Sequence, residues 1–164
     1  MIVRFSCDGV WLNTSARCIL SCVNVSSLTP VTVVLADDSD VYRRGMKRAI
    51  DADERLRLVA EVSDGAAALA AIREHQPDVA LLDFQMPALD GIEVCCRVHA
   101  DPPVHRTRFV LVSAFLSDEV IARASACGMD HKLEKTTPRR QICDLLASAS
   151  DAGPGAAAPR PDAA

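Results

Sequence analysis

Aromatic side chains are scarce in this sequence: they make up 4% of its 164 residues, with one Trp and one Tyr. A core must therefore be built from aliphatic residues, and the apolar fraction of 49% excludes a chain that is disordered throughout. No stretch approaches the roughly 18 uninterrupted apolar residues of a membrane-spanning helix. A basic excess is also missing, because the formal net charge is −4, and this disfavours nucleic-acid binding through bulk charge. The length fits one domain.

Cysteine is the one reactive residue type that is abundant, with seven in the chain. There is no Cys-x-x-Cys pair, and no His stands at a zinc-site spacing from a cysteine pair. The odd number and the adjacent Cys95 and Cys96 disfavour a disulfide framework. We therefore predict buried, reduced thiols, as in a cytoplasmic protein.

Composition divides the chain into three parts. Residues 1–30 hold no helical or strand periodicity for long, and they are predicted to be a disordered arm or a stretch upstream of a true start near Leu28 or Val31. Residues 148–164 are rich in Ala, Pro and Gly and are predicted to be a disordered tail, because they cannot bury enough surface to offset the entropy of ordering. Residues 31–147 are the predicted domain.

Short apolar strands alternate with helical patterns through this domain. Strands are predicted at 31–36, 57–62, 79–83, 108–114 and 129–134, and helices at 39–51, 65–76, 91–100, 117–126 and 138–149, with Pro138 in the first turn of the last one. In the first helix, Val41, Met46 and Ile50 are expected to face inward. Five such units predict an α/β fold with a doubly wound parallel sheet covered by helices on both faces. The fifth strand is polar and is therefore expected at a sheet edge.

Polar residues follow the predicted strands at the edge where such sheets bind ligands. Asp37 and Asp38 follow the first strand, Asp83 ends the third, Ser113 ends the fourth and Lys135 follows the fifth. Neighbouring strands lie about 4.8 Å apart, so the carboxylates must crowd one another unless a cation holds them. Oxygen ligands of this kind suit Mg²⁺, and a lysine ammonium suits a phosphoryl oxygen.

Four segments together resemble the receiver domain of response regulators in bacterial two-component systems. They are VVLADDSDVYRRGMKRAI, ALLDFQMPALDGIEV, FVLVSAF and GMDHKLEK, and the resemblance covers about residues 31–147. It implies a flavodoxin-like receiver fold with five parallel strands in the order 2-1-3-4-5. It also implies that Asp83 accepts a phosphoryl group from a sensor histidine kinase in a Mg²⁺-dependent reaction.

The resemblance assigns roles to the other polar residues. Asp38, Asp83 and the backbone carbonyl of Gln85 would bind Mg²⁺ directly, and Asp37 would act mostly through a metal-bound water. Ser113 would hydrogen-bond to the phosphoryl oxygen, and Lys135 would pair with it. Such a protein would catalyse only its own phosphorylation and dephosphorylation and would not be an enzyme for other substrates.

The strands and loops are most similar to those of receivers that carry a C-terminal helix-turn-helix domain. Only the Ala/Pro-rich tail follows the fifth helix here, so we expect a stand-alone cytoplasmic receiver that does not bind DNA or membranes. Output would pass to a downstream protein effector or phosphotransfer protein. The sequence does not decide whether the receiver forms a homodimer.

Two alternatives to a phosphorylated receiver stay open, and one of them follows from a departure from the family pattern. Lys132 stands where receivers usually have Tyr or Phe, and an ammonium fits poorly in that apolar slot, so it is expected to point outward. The chain could therefore be a degenerate receiver that docks a partner without phosphorylation. A haloacid-dehalogenase-type phosphatase is suggested by Asp38-Ser39-Asp40, but no second pair of acids follows in residues 130–147.

Overall fold

Five parallel strands alternate with five helices. The computed structural model describes residues 29–101 and 107–148. The elements are β1 (Val31–Ala36), α1 (Asp40–Asp51), β2 (Leu56–Val62), α2 (Gly65–His75), β3 (Val79–Asp83), α3 (Gly91–Ala100), β4 (Arg108–Ser113), α4 (Asp118–Ala126), β5 (His131–Glu134) and α5 (Arg139–Ala147). The strand order is β2-β1-β3-β4-β5, which confirms the predicted flavodoxin-like topology.

Burial in the sheet follows strand position. Every residue of the central strand β3 is buried, as expected for a parallel strand covered on both faces. β5 pairs with β4 alone, and its terminal residues His131 and Glu134 are exposed. The predicted edge position of the polar fifth strand is confirmed.

The core has two halves, one on each face of the sheet. Leu35, with Met46 and Ile50 of α1 and Leu146 of α5, belongs to one half. Its neighbour Val34 belongs to the other, with α2 and α3. Adjacent strand residues separate in this way because successive side chains point to opposite faces. The sheet thus lies between two layers of helices, and this packing positions its carboxyl edge.

Helix starts are well defined by side-chain caps. Ser39, Asp64, Asp90 and Ser117 each accept a hydrogen bond from a backbone N–H in the first turn of the helix that follows. The last helix differs from its prediction, because Pro138 precedes α5 as its N-cap residue and forms no side-chain cap.

The predicted inner face of α1 was wrong at one position. Val41 is 73% exposed, whereas Tyr42, Met46 and Ile50 are buried. The buried residues are spaced four apart, which is the separation that brings side chains to the same helix face. Tyr42 thereby takes the inward position at the start of α1, next to the acidic residues that follow β1.

The prediction of reduced thiols was wrong for two cysteines. Cys96 of α3 forms a disulfide with Cys127 at the end of α4, 31 residues further along. Their proximity results from the packing of two helices and leaves no mark in the spacing of cysteines along the chain. Cys95 and Cys143 are free and buried, as predicted.

The other predictions about chain ends fall outside the described residues. They concern the arm at 1–30, the alternative start near Leu28 or Val31 and the tail at 148–164, and nearly all of these residues lie in the undescribed ranges 1–28 and 149–164. Among the residues that are described, every helix is too short or too polar to cross a membrane.

Candidate functional site

Three carboxylates converge at the carboxyl edge of the sheet. Asp37 and Asp38 follow β1, and Asp83 is the last residue of β3, the strand beside it. One oxygen from each of the three carboxylates lies within 4.8 Å of the others. Asp37 is fully buried and Asp83 is 3% exposed, whereas Asp38 is open to solvent. The predicted cluster is therefore present, with two buried carboxylates and one exposed carboxylate.

The Lys135 ammonium lies against the two buried carboxylates. Its Nζ donates a hydrogen bond to Asp83 Oδ2 over 2.8 Å and forms an ion pair with Asp37 Oδ2, also at 2.8 Å. The Lys135 backbone N–H donates to the Ser113 carbonyl oxygen, which ties this residue to the end of β4. Burial lowers the pKa of Lys135, but hydrogen bonds and charge from the two carboxylates outweigh burial, and the pKa is raised. The ammonium is therefore a fixed positive charge at the site.

The surroundings of Asp83 raise the pKa of its carboxyl. Burial, helped by the negative charge of Asp37, brings this pKa to about 6. The Lys135 hydrogen bond and the backbone N–H of Gln85 act in the opposite direction. A cation placed among these carboxylates would remove their repulsion.

The cluster has the features that Mg²⁺ requires. Asp37 Oδ1 accepts a hydrogen bond from the Ser39 backbone N–H, and the buried Oδ2 is paired with the Lys135 ammonium at 2.8 Å. A metal ion or its water would share this carboxylate with Lys135. Mg²⁺ is bound through one or two carboxylates and retains several waters, which one exposed and two buried carboxylates allow. The residues present therefore fit the ion.

Ser113 and Gln85 lie at the site in particular orientations. The Ser113 hydroxyl is buried and donates to the Phe115 carbonyl oxygen over 2.8 Å, so it is turned toward the loop after β4. The side chain of Gln85 is exposed, and its backbone N–H bonds to the Asp83 carboxylate. The predicted contacts of Ser113 with a phosphoryl oxygen and of the Gln85 carbonyl with a metal stay predictions.

Two glycines allow the loop after β3 to lie close to neighbouring backbone segments. A Cβ at Gly91 would lie 2.3 Å from the Asp83 carbonyl oxygen, and one at Gly65 would lie 2.0 Å from that of Leu89. The Gly65 N–H also donates to the Pro87 carbonyl oxygen. Only residues without a side chain permit these approaches, so both glycines contribute to the position of Asp83 and its loop.

Sequence reasoning missed one residue of the site. The Tyr42 ring lies under Lys135, with its centroid 5.0 Å from the ammonium, and the Arg139 guanidinium lies 5.9 Å from the same centroid. A signal was present, because Tyr42 is the single tyrosine of the chain and follows Asp38 by one helical turn.

Lys132 lies on β5 opposite Leu111 of β4. The next residue, Leu133, packs on the core half formed by α1 and α5, so the alternation of strand side chains places Lys132 on the opposite face. Lys132 is partly exposed, and its ammonium forms no ion pair within residues 29–101 and 107–148. At the position where receivers usually have an aromatic ring, the chain thus has a partly exposed lysine, and the outward direction of its ammonium stays a prediction.

Comparison with known proteins agrees with the fold and with this arrangement of residues. The model of the response regulator receiver domain matches residues 33–147. The chain belongs to the response regulator receiver family. Receiver domains of this family interact with histidine kinases and bind Mg²⁺ at an acidic pocket, which corresponds here to the cluster of three aspartates.

Curated relatives of this receiver include longer regulators. It is 39% identical over 113 residues to the probable transcriptional regulatory protein NarL of Mycobacterium tuberculosis, covering 68% of this chain and 51% of NarL. It is 28% identical over 120 residues to the response regulator protein VraR of Staphylococcus aureus, covering 73% of this chain and 56% of VraR. The chain thus spans about half the length of the curated relatives it matches.

Solved receiver structures superpose on the same region. The receiver domain of the putative response regulator NarL from M. tuberculosis has a TM-score of 0.71 at 35% identity, covering 74% of this chain and 97% of that one. The response regulator domain of Thermotoga maritima CheB has a TM-score of 0.67 at 25% identity, covering 77% and 100%.

The phosphatase alternative gains no support from the site. Its second acid would be Asp40, which lies in the first turn of α1, is exposed and forms an ion pair with Arg43. Asp40 is not part of the carboxylate cluster.

Proposed function

We propose that this receiver is phosphorylated on Asp83 by a sensor histidine kinase in a Mg²⁺-dependent reaction and signals through a protein partner. One observation carries the proposal: the buried Asp83 carboxylate shares one sheet edge with the Lys135 ammonium and two further carboxylates. A buried carboxylate between a fixed cation and a metal-binding set suits an acceptor for an anionic group.

The proposed reaction moves one phosphoryl group from nitrogen to oxygen. An oxygen of the Asp83 carboxylate attacks phosphorus as the phosphorus–nitrogen bond to the kinase histidine breaks, and the imidazole leaves with the electron pair and takes up a proton. Lys135, already 2.8 Å from Asp83 Oδ2, would follow the charge onto the phosphoryl oxygens. The protein therefore contributes positioning and charge neutralisation more than covalent chemistry.

Metal binding is assigned to residues that the structure brings together and to one backbone group. Asp38, Asp83 and the carbonyl of Gln85 would hold Mg²⁺ directly, and Asp37 would act mostly through a metal-bound water. The bound ion would neutralise phosphoryl charge as the group is transferred. Ser113 must turn its hydroxyl from the Phe115 carbonyl oxygen to donate to the phosphoryl group.

Acetyl phosphate, a small phosphoryl donor, tests the proposal without the kinase. The purified chain is incubated with acetyl phosphate, with Mg²⁺ or with EDTA, and intact mass is measured. We expect one added phosphoryl group in the sample with acetyl phosphate and Mg²⁺ and none in the sample with EDTA. Asp83→Asn should take up no phosphoryl group in either sample. Asp40→Asn is the matched control, because this acid is near the site but exposed and outside the cluster, and it should label normally. A label that persists in Asp83→Asn contradicts the proposal.

The remaining features of the proposal concern the cell. The receiver would act in the cytoplasm, catalyse only its own phosphorylation and dephosphorylation, and pass its signal to a protein effector or phosphotransfer protein. Direct DNA binding is not expected of residues 31–147, whose candidate site is a cluster of acidic side chains. A homodimer remains compatible with this proposal.

Lys132 favours a second candidate, a receiver that docks its partner without phosphorylation. Lys132 is partly exposed and stands at the position of the ring that usually couples the phosphoryl site to the α4–β5–α5 face in receivers. Amide hydrogen exchange with and without trifluoroberyllate, a phosphoryl mimic, separates the two. Protection changes on that face, stronger in Lys132→Tyr, favour phosphorylation-dependent output; a face unaffected in both proteins favours constitutive docking.

A further inference from the structure

Within residues 29–101 and 107–148, the Lys135 ammonium forms ion pairs with two carboxylates and lies over one aromatic ring, and only the ring has no role toward a metal ion or a phosphoryl group. Asp37 and Asp83 each have an oxygen 2.8 Å from Nζ, and the Tyr42 ring centroid lies 5.0 Å away. Under the proposed function both carboxylates are engaged by the ion or by phosphorylation. Their contacts with Lys135 must then weaken or change. The contact with the ring can persist, because an aromatic face binds neither Mg²⁺ nor phosphate.

Tyr42 is itself held firmly in place. It is 9% exposed and packs with Met46 and Ile50 in the core half formed by α1 and α5. Its hydroxyl has no hydrogen-bond partner among the described residues, so no polar contact explains its presence there. Burial raises the pKa of the Tyr42 hydroxyl to about 12, which keeps the ring neutral. What this side chain offers to the site is the electron-rich face of its ring.

We propose that Tyr42 is a positioning residue whose ring holds the Lys135 ammonium at the carboxylate cluster when a metal ion or a phosphoryl group engages Asp37 and Asp83. This inference rests on the proposed function for its consequence and on the described contacts for its geometry. The ring accepts a second cation as well, because the Arg139 guanidinium lies 5.9 Å from its centroid.

Two substitutions separate the ring from the hydroxyl and from simple packing. Tyr42→Phe retains the aromatic face and removes only the hydroxyl, which no described residue engages. Tyr42→Leu retains an apolar side chain and removes the aromatic face. Met46→Leu is the matched control, since Met46 is fully buried one turn later on the same face of α1 and has no part in the site.

Nuclear magnetic resonance reports the contact directly. The chain has three lysines, Lys47, Lys132 and Lys135, so ¹³C-labelled lysine gives three ε-methylene signals. We expect a ring-current shift of the Lys135 signal, with Mg²⁺ alone and with Mg²⁺ plus trifluoroberyllate, that is kept in Tyr42→Phe and lost in Tyr42→Leu. The other two lysines are internal references. A Lys135 signal that is unchanged in Tyr42→Leu overturns the proposal.

Phosphorylation rate supplies the second readout. A cation–aromatic contact of this kind corresponds to a change on the order of three- to tenfold. With saturating Mg²⁺ and acetyl phosphate, we expect the rate to fall by that factor in Tyr42→Leu and to be retained in Tyr42→Phe and Met46→Leu. An equal loss in Tyr42→Leu and Met46→Leu means that packing alone matters, and the proposal is then wrong. If the wild-type chain takes no label, the proposed function fails, and the Lys135 signal alone decides whether Tyr42 holds the ammonium.

Discussion

Gly91 approaches the backbone of Asp83 so closely that a side chain at this position would collide with it. A Cβ at Gly91 would lie 2.3 Å from the Asp83 carbonyl oxygen and 3.2 Å from the Leu111 side chain. The first residue of α3 therefore abuts the last residue of β3. The placement of the candidate phosphoacceptor depends on the absence of one methyl group.

Gly91→Ala is accordingly expected to displace Asp83. We predict a loss of stability of about 1–3 kcal/mol, as for other overpacked sites, together with a large loss of phosphorylation by acetyl phosphate. Urea unfolding and intact mass measure the two effects. Gly45→Ala is the control, because the added Cβ meets only the end of the flexible Arg139 side chain and Ala favours helices, so stability should hold or rise. If Gly91→Ala and Gly45→Ala changed stability and phosphorylation equally, the close approach of Gly91 to Asp83 would not be what positions the phosphoacceptor.

Ala88, in the loop after β3, is predicted to be a strained residue. Its φ is 69°, in the left-handed region that non-glycine residues avoid. Ala88→Gly should relieve the strain and stabilise the protein by about 0.5–1 kcal/mol, after the added entropy of the unfolded chain is counted. Ala70→Gly, on the exposed side of α2, should instead cost about 1 kcal/mol. Thermal unfolding of both variants checks whether their changes in stability have opposite signs. A loss of stability in Ala88→Gly would show that Ala88 is not strained.

Asp83 is predicted to make the metal-free protein less stable as pH rises from about 4 to 6. Its pKa is raised from 3.8 to about 6, so the folded state binds more protons than the unfolded state between these values. Stability is then present below the unfolded pKa and is lost as pH rises through the folded pKa. Lys135 keeps its proton throughout this window, because its pKa is raised from 10.5.

Comparison with Asp83→Asn isolates this group from the other carboxylates. In EDTA, the stability of the wild-type protein should fall relative to that of Asp83→Asn across the window, by on the order of 2 kcal/mol once solvent screening of this half-buried group is allowed for. Mg²⁺ at pH 7 should raise the unfolding temperature of the wild type more than that of the variant. Urea titrations at several pH values measure the difference, and parallel curves for the two proteins would show that Asp83 is not perturbed.

The Cys96–Cys127 disulfide is predicted to add substantially to stability. It closes a loop with a sequence separation of 31, for which chain entropy gives about 3–4 kcal/mol. Dithiothreitol and Cys127→Ser should therefore lower stability by a similar amount, and dithiothreitol should not affect Cys127→Ser further. Cys95→Ala is the control. Because Cys95 is a free thiol, this variant should still lose stability when dithiothreitol is added. Alkylation of both Cys96 and Cys127 without prior reduction would show that the bond is absent.

Local patterns were sufficient for most of the fold and for the charged part of the site. Apolar β-branched runs such as VTVVLA and caps such as Ser39 and Asp64 act within a few residues, so strand and helix positions are readable along the chain. Parallel strands also align their carboxyl ends at one edge. That rule predicted that Asp37, Asp83 and Lys135 would lie at one edge, and the resemblance to receivers implied the strand order that brings them close.

Contacts across the fold were decided only by tertiary packing. Helical periodicity did not settle whether Val41 or Tyr42 faces inward, because a shift of one residue rotates the helix by about 100°. The burial of Tyr42 beneath Lys135 depends on how α1 sits against the sheet and α5. The Cys96–Cys127 bond likewise depends on the approach of α3 and α4, and the spacing of cysteines had indicated reduced thiols.

The sequence by itself determined the order of strands and helices and the chemistry available at the strand ends, because both follow from local side-chain patterns and from the geometry of parallel sheets. Tertiary structure alone decided how that chemistry is tuned. Burial raises the pKa of Asp83 to about 6, Lys135 lies 2.8 Å from two carboxylates, and the Tyr42 ring lies beneath its ammonium. Desolvation and charge pairing act between residues that are distant in the chain, and they exist only once the chain has folded.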